Sequence, residues 1–234
     1  MRAYFFSTLL MIYIPDNDFE KLKSRLHKML VLVEEQVEFT FRVIQDFNLE
    51  LANLVIERDK AVDKHDVKIE KLCQKIYYTQ TLSEQDSRYL MAVMPIVINL
   101  ERIGDISENI CRKCIYIHQQ YSGHLYVPNA IQEMCRIITK MIKGMVQAVQ
   151  KRDSDVAHNV RLYDVIINRL NAENFGYLKN KIIENVQHTD YAIQYILISK
   201  DLERLADHIN DVAEQVIFIV EAEVVRHKFI GDIR

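Results

Sequence analysis

One hexapeptide occurs twice in this chain, and its recurrence limits the fold more than any other feature. Leu100-Glu101-Arg102-Ile103-Gly104-Asp105 is matched by Leu202-Glu203-Arg204-Leu205-Ala206-Asp207. The likeness extends upstream. Asn48-x-x-x-Ala52-x-x-Val55-x-x-x-Asp59-x-x-Val62-Asp63 parallels Asp153-x-x-x-Ala157-x-x-Val160-x-x-x-Asp164-x-x-Ile167-Asn168. The offset is 105 residues in the upstream block (48 to 153) and 102 in the hexapeptide (100 to 202). A repeat at this spacing has to be read before any local motif. It divides the 234 residues into two copies of one unit.

That unit is helical. The chain has five Gly and three Pro, too few for the frequent turns of a many-stranded fold. Apolar residues recur at helical spacing almost throughout. The spacing predicts helices over 18–47, 48–79, 83–121, 129–152, 153–184 and 189–227. Ser83-Glu84-Gln85-Asp86 reads as an N-cap with an acid three residues on, and Pro95 predicts a kink in the third helix. Ser122 to Pro128 is the one clear linker. Short connections imply antiparallel neighbours. The expected fold is all-α: six long antiparallel helices in two tandem, pseudo-symmetric three-helix bundles, 18–121 and 129–227, joined by 122–128.

Residues 1–17 are read as an N-terminal extension. Its apolar stretch, 1–14, is shorter than the ~20 residues of a membrane span and has no small-residue cleavage site before Pro15-Asp16. A docking segment or a mis-chosen start is expected there. The net charge is −3 and the basic residues are scattered, so nucleic acid is not an expected partner. Of the four cysteines, Cys111 and Cys114 form a C-x-x-C without a second pair at zinc-site spacing, and buried, reduced thiols are expected.

The carboxylates carry the functional signal. On the third helix Glu101, Asp105, Glu108 and Asn109 share a face opposite Leu100, Ile103 and Ile110. Glu203, Asp207, Asp211 and Glu214 repeat this on the sixth. By amphipathicity alone both sets are solvated faces. On the second helix Asp59, Asp63, Asp66 and Glu70 run along one edge, where like charges repel. Hairpin geometry, at about 1.5 Å per residue, sets Asp59 and Asp63 level with Glu101 and Asp105. It likewise sets Asp164 and Asn168 level with Glu203 and Asp207. Each half thus gathers oxygen donors near its surface. Such donors suit iron, manganese, magnesium or calcium better than zinc or copper. The same faces would also serve a metal-free helical interaction module with a basic partner. A carboxylate-bridged metal oxidase would need Glu-x-x-His, which the chain lacks. His208, without a counterpart in the first half, reads as a surface histidine. No nucleophile pair and no Gly-rich phosphate loop is present, and an enzyme is not expected.

On these residues, with Met29, Val33-Glu34 and Asp86-x-Arg88, the chain resembles the PhoU family of phosphate-uptake regulators from about residue 18 to 225. The resemblance implies a cytoplasmic, homodimeric, non-enzymatic negative regulator of phosphate uptake and phosphate-starvation signalling. It implies two partners: the ATPase subunit of a phosphate ABC transporter and a sensor histidine kinase. Association with the membrane would be through those partners only. It also implies multinuclear iron, or zinc, on the bundle surface. Carried over by position, the ligands are Asp59, Asp63, Glu101 and Asp105, then Asp164, Asn168, Glu203, Asp207 and Asp211. Asn168 in place of an acid predicts two unequal sites.

Overall fold

The computed structural model describes residues 17–121 and 126–225. The apolar stretch 1–14, linker residues 122–125 and residues 226–234 lie outside them. Seven α-helices follow in order: α1 (Asn17–Asp46), α2 (Leu49–Thr79), α3 (Glu84–Gln120), α4 (Asn129–Lys151), α5 (Ser154–Arg161), α6 (Asp164–Glu184) and α7 (Thr189–Glu221), with a 3₁₀ turn at Val186–His188. There is no strand among the described residues. The all-α, tandem three-helix plan therefore holds.

Two expectations about the helices need correction. The fifth helix is broken in two. Leu162 and Tyr163 donate their amides to carbonyls three residues back, so the last turn of α5 tightens and the chain restarts at Asp164. The last helix stops at Glu221 rather than near 227, because Ala222 turns left-handed at φ 60° and its amide closes on Phe218. α3 passes through Pro95 without a break.

The repeat survives down to its caps. α1 and α4 each end on a left-handed residue, Phe47 at φ 50° and Arg152 at φ 52°. Asn48 and Asp153 follow, and each caps the next helix: Asn48 Oδ1 accepts from Leu51 N at 2.9 Å, and Asp153 Oδ1 from Val156 N at 3.0 Å. Asn48→Ala and Asp153→Ala are each expected to cost about 1 kcal/mol, seen as a lower urea midpoint at constant slope. A midpoint that does not move would remove these caps from the account.

Tertiary packing joins the halves through their motif-bearing helices. α3 and α7 form the most extensive helix pair, with α1 against α4 beside them. Contacts along the seam fix its antiparallel register. Tyr116 and Tyr121 donate to Asp190 at 3.1 and 3.0 Å; Lys113 binds Asp201 at 2.7 Å; His208 Nδ1 lies 2.8 Å from Asn99 Oδ1. The two hexapeptides consequently lie level with each other. His208 is a half-buried seam residue rather than a surface one, and burial lowers its pKa. The buried residues of both halves form one continuous core, in which Leu100, Ile103, Leu202 and Leu205 are fully enclosed. Cys73, Cys111, Cys114 and Cys135 are free and buried, as expected. No described helix is long and apolar enough to cross a membrane.

Candidate functional site

The core stripe of α2 (Val55, Val62, Ile69, Ile76) is buried against α1 and α3, and this places the acids beside it. Asp59 goes deepest, with only 8% of its surface exposed. Two residues make room for it. Gly104 leaves the backbone of α3 open: a Cβ there would stand 2.7 Å from Asp59 Oδ1. Gln36, wholly buried on α1, donates through Nε2 to Asp59 Oδ1 at 3.3 Å and lies 3.4 Å from the Gly104 carbonyl. Its Oε1 is buried with no hydrogen-bond partner among the described residues.

The electrostatics tie these acids into one group. Burial pushes Asp59 up to about 6, the Gln36 hydrogen bond opposes this, and Asp63, Asp105 and Glu108 raise it further. Glu101 is raised by burial and then by Asp105, with Arg102 opposing and Asp66 and Asp63 adding. Asp66 is raised by burial, Glu70 and Asp63. The expected set Asp59, Asp63, Glu101 and Asp105 is therefore gathered, with Asp66 and Glu108 beside it. Asp59 lies below the surface where a surface position was expected.

The second half gathers its own set. Asp164 opens α6, where unpaired helix amides favour a carboxylate. It is raised by burial and by Glu203, while a hydrogen bond with Asp207 and the charge of Arg161 oppose. Asp207 is exposed, yet the protein mass behind it, then Glu203, Asp164 and Asp211, lift it to about 6 against the pull of Lys200. Asn168 behaves as an amide: its Nδ2 donates to Asp164 Oδ2 at 3.1 Å. Ala206 occupies the place of Gly104. Glu214, expected on this solvated face, is buried and pairs with Arg161 of α5 at 3.3 Å.

Whether these residues suit a metal is decided by two opposing features. Carboxylates crowded enough to raise one another's pKa are a set that a multivalent cation would relieve, and the orphaned Gln36 Oε1 adds a hard oxygen beside Asp59. Against this, basic residues already neutralise part of the charge. Arg102 lies 3.1 Å from Asp105 and 3.4 Å from Glu101, Arg112 lies on Glu108, and Lys200 on Glu203. Among the described residues no three His, Cys, Asp or Glu side chains stand ready-formed around a metal position. The donor set fits hard cations in chemistry, but its side chains would have to turn inward.

Sequence reasoning missed Gln36 altogether, and passed over Asp66 and Glu108 as members. Gln36 leaves one trace. With Thr40 it interrupts an apolar stripe of α1 formed by Val33, Val37 and Ile44, and a polar residue on a core stripe needs a partner.

Residues 26–114 and 131–216 match the family model of the PhoU domain. A PhoU homolog 1 from Thermotoga maritima, named a phosphate-specific transport system accessory protein, is 29% identical, with 85% of each chain covered. One from Aquifex aeolicus, named likewise, is also 29% identical over 92% of this chain and 96% of its own. The crystal structure of PhoU from Pseudomonas aeruginosa resembles the fold with a TM-score of 0.83 at 26% identity, covering 88% of this chain and 98% of that one.

Proposed function

We propose that this chain, which belongs to the PhoU family, is a regulatory accessory protein of a phosphate transport system whose two carboxylate clusters bind metal. The observation that carries the reading is the pair of clusters around Asp59 and Asp207, in each of which burial first and neighbouring carboxylates second lift an acid to about 6. Crowded like charge destabilises a fold, and its repetition in both halves favours use over accident. Asp59, Asp63, Glu101 and Asp105 would hold the cation in the first half. Asp164, Glu203, Asp207 and Asp211 would do so in the second, with Asn168 as a neutral oxygen donor. A metal there would supply charge neutralisation and would fix the positions of α2 and α6 against the central α3–α7 pair.

Multinuclear iron is the metal that the family resemblance implies for this oxygen-donor set, with zinc, manganese and magnesium as alternatives. The regulatory reading places the protein in the cytoplasm, as a homodimeric negative regulator touching the membrane only through a transporter's ATPase subunit and a sensor kinase. The names of its relatives as transport accessory proteins support the link to a phosphate transport system. Elemental analysis of protein purified without chelator is expected to find iron, manganese or zinc. Glu101→Gln with Asp105→Asn should remove the first cluster's share, and Glu203→Gln with Asp207→Asn the second's. Metal-free protein that takes up none on addition would sink the metal reading and leave family membership untouched.

A second reading is favoured by Arg102, Arg112 and Lys200, which already balance part of the charge. The clusters then act as acidic docking faces without metal. That reading expects partner binding to weaken steeply with salt and to ignore chelators.

A further inference from the structure

A cavity of about 370 Å³ lies where the two halves meet, and no residue of either carboxylate cluster lines it. Its polar wall comes from both halves: Lys23 and His27 of α1 and Tyr89 of α3 on one side, Gln150 of α4 and Arg152 at its end on the other. Its floor is apolar, made by Leu26, Leu30 and Val149. No carboxylate is among the described lining residues. Glu20 holds Lys23 at 2.6 Å on the exposed side of α1.

The polar groups are set out as donors. The Arg152 guanidinium lies 4.7 Å from the centre of the Tyr89 ring, so a cation from one half covers an aromatic of the other. Tyr89 is buried, which lifts its hydroxyl to about 12 and keeps it protonated, with Arg152 opposing. Gln150 Nε2 lies 3.0 Å from His27 Nδ1. An amide nitrogen only donates, so Nδ1 is the acceptor and Nε2 carries the ring proton. Arg152 stands out in the comparison of repeats. Both halves impose a left-handed residue at this place, where Gly or Asn is usual. The first half fills it with Phe47, stacked 6.4 Å from His118; the second fills it with a cation at the mouth of a cavity.

We propose that this cavity binds a small phosphate-bearing anion between Lys23 and Arg152, with any organic part resting on Leu26, Leu30 and Val149. Two cations with neutral N–H and O–H donors between them suit an anion that presents several oxygens at once. The volume falls in the range of small-molecule sites. Because Lys23 and Arg152 come from different halves, the bound anion would bridge the seam directly. This site is independent of the metal reading.

The test is calorimetric titration of the full chain, treated with chelator, with inorganic phosphate and separately with AMP. Saturable binding of one equivalent of either probe is expected. Arg152→Gly and Lys23→Gln should each weaken it about tenfold or more, the scale of one charge-assisted contact. Arg152→Gly keeps the left-handed backbone and Lys23 is exposed, so both variants should melt near the parent. Glu101→Gln with Asp105→Asn should leave binding unchanged. Tighter binding of AMP than of phosphate assigns the site to organic phosphates; equal or weaker binding assigns it to the free anion. No saturable binding of either probe would overturn the proposal. Full binding by the Arg152 and Lys23 variants, or loss in the Glu101/Asp105 variant, would overturn it too.

Discussion

Arg161→Met is expected to destabilise the protein by about 3 kcal/mol or more, the largest effect of any single change considered. Arg161 and Glu214 are both nearly sealed from water, with side chains only 6% and 9% exposed, and lie 3.3 Å apart. Removing the cation takes the Arg161 charge away from a buried carboxylate, and the desolvation cost of that group then weighs more heavily against folding. The double change Arg161→Met with Glu214→Leu removes both charges and should recover most of the loss, because an apolar pair of similar volume often replaces a buried ion pair at little cost. Chemical denaturation of the three variants measures this directly. A double variant no better than Arg161→Met would mean that the pair is not the source of the effect. The location adds interest: Arg161 stands at the break between α5 and α6 and also lowers the pKa of Asp164, so it ties the second cluster to the core.

Asp59→Asn is expected to act in the other direction, making metal-free protein more stable by about 2 kcal/mol at pH 7. The folded protein holds the Asp59 proton up to about 6, whereas the ordinary value is 3.8. Between those values the folded state binds more proton than the unfolded chain. Stability therefore falls as the pH rises through this window, and the penalty is complete above it. An asparagine carries no such penalty, and its Oδ1 can keep the hydrogen bond from Gln36 Nε2. The advantage of the variant should shrink as the pH falls and vanish below about 4. Melting curves of parent and variant across pH 4–8 test this. A variant less stable than the parent at pH 7, or an advantage independent of pH, would contradict it. If Asp59 is a ligand, the same change should weaken metal uptake in the first half while stabilising the fold, the usual exchange at a site kept for function.

Much of this was legible before any coordinates. Helical periodicity is local, so the apolar stripes, the six-helix plan and the cap at Ser83 follow from neighbours a few residues apart. The level placement of Asp59 with Asp105 and of Asp164 with Asp207 also follows, because a short turn fixes the height of residues on a hairpin. The interruption of the fifth helix did not. No Gly or Pro marks it, and its cause is a single re-phased turn between the buried Val160–Arg161 segment and Asp164. Glu214 and His208 were misplaced for a related reason. Helical projection separates apolar from polar faces, but it is blind to a partner on another helix that makes a polar residue worth burying.

The Leu-Glu-Arg-x-x-Asp hexapeptide marks the division clearly. By itself the sequence determined that the motif is duplicated, that its Leu faces a core and that its acids lie level with those of the preceding helix. Only the tertiary structure decided that the two copies lie side by side across the α3–α7 seam, and that Gly104 and Gln36 bury Asp59 while its counterpart Asp164 is only partly covered. The physical reason is range. Periodicity and turn length act over one hairpin, whereas the seam, the shared core and the cavity between Lys23 and Arg152 depend on faces far apart in the chain finding one another, as Tyr121 and Asp190 do at a separation of 69 residues and His208 and Asn99 at 109.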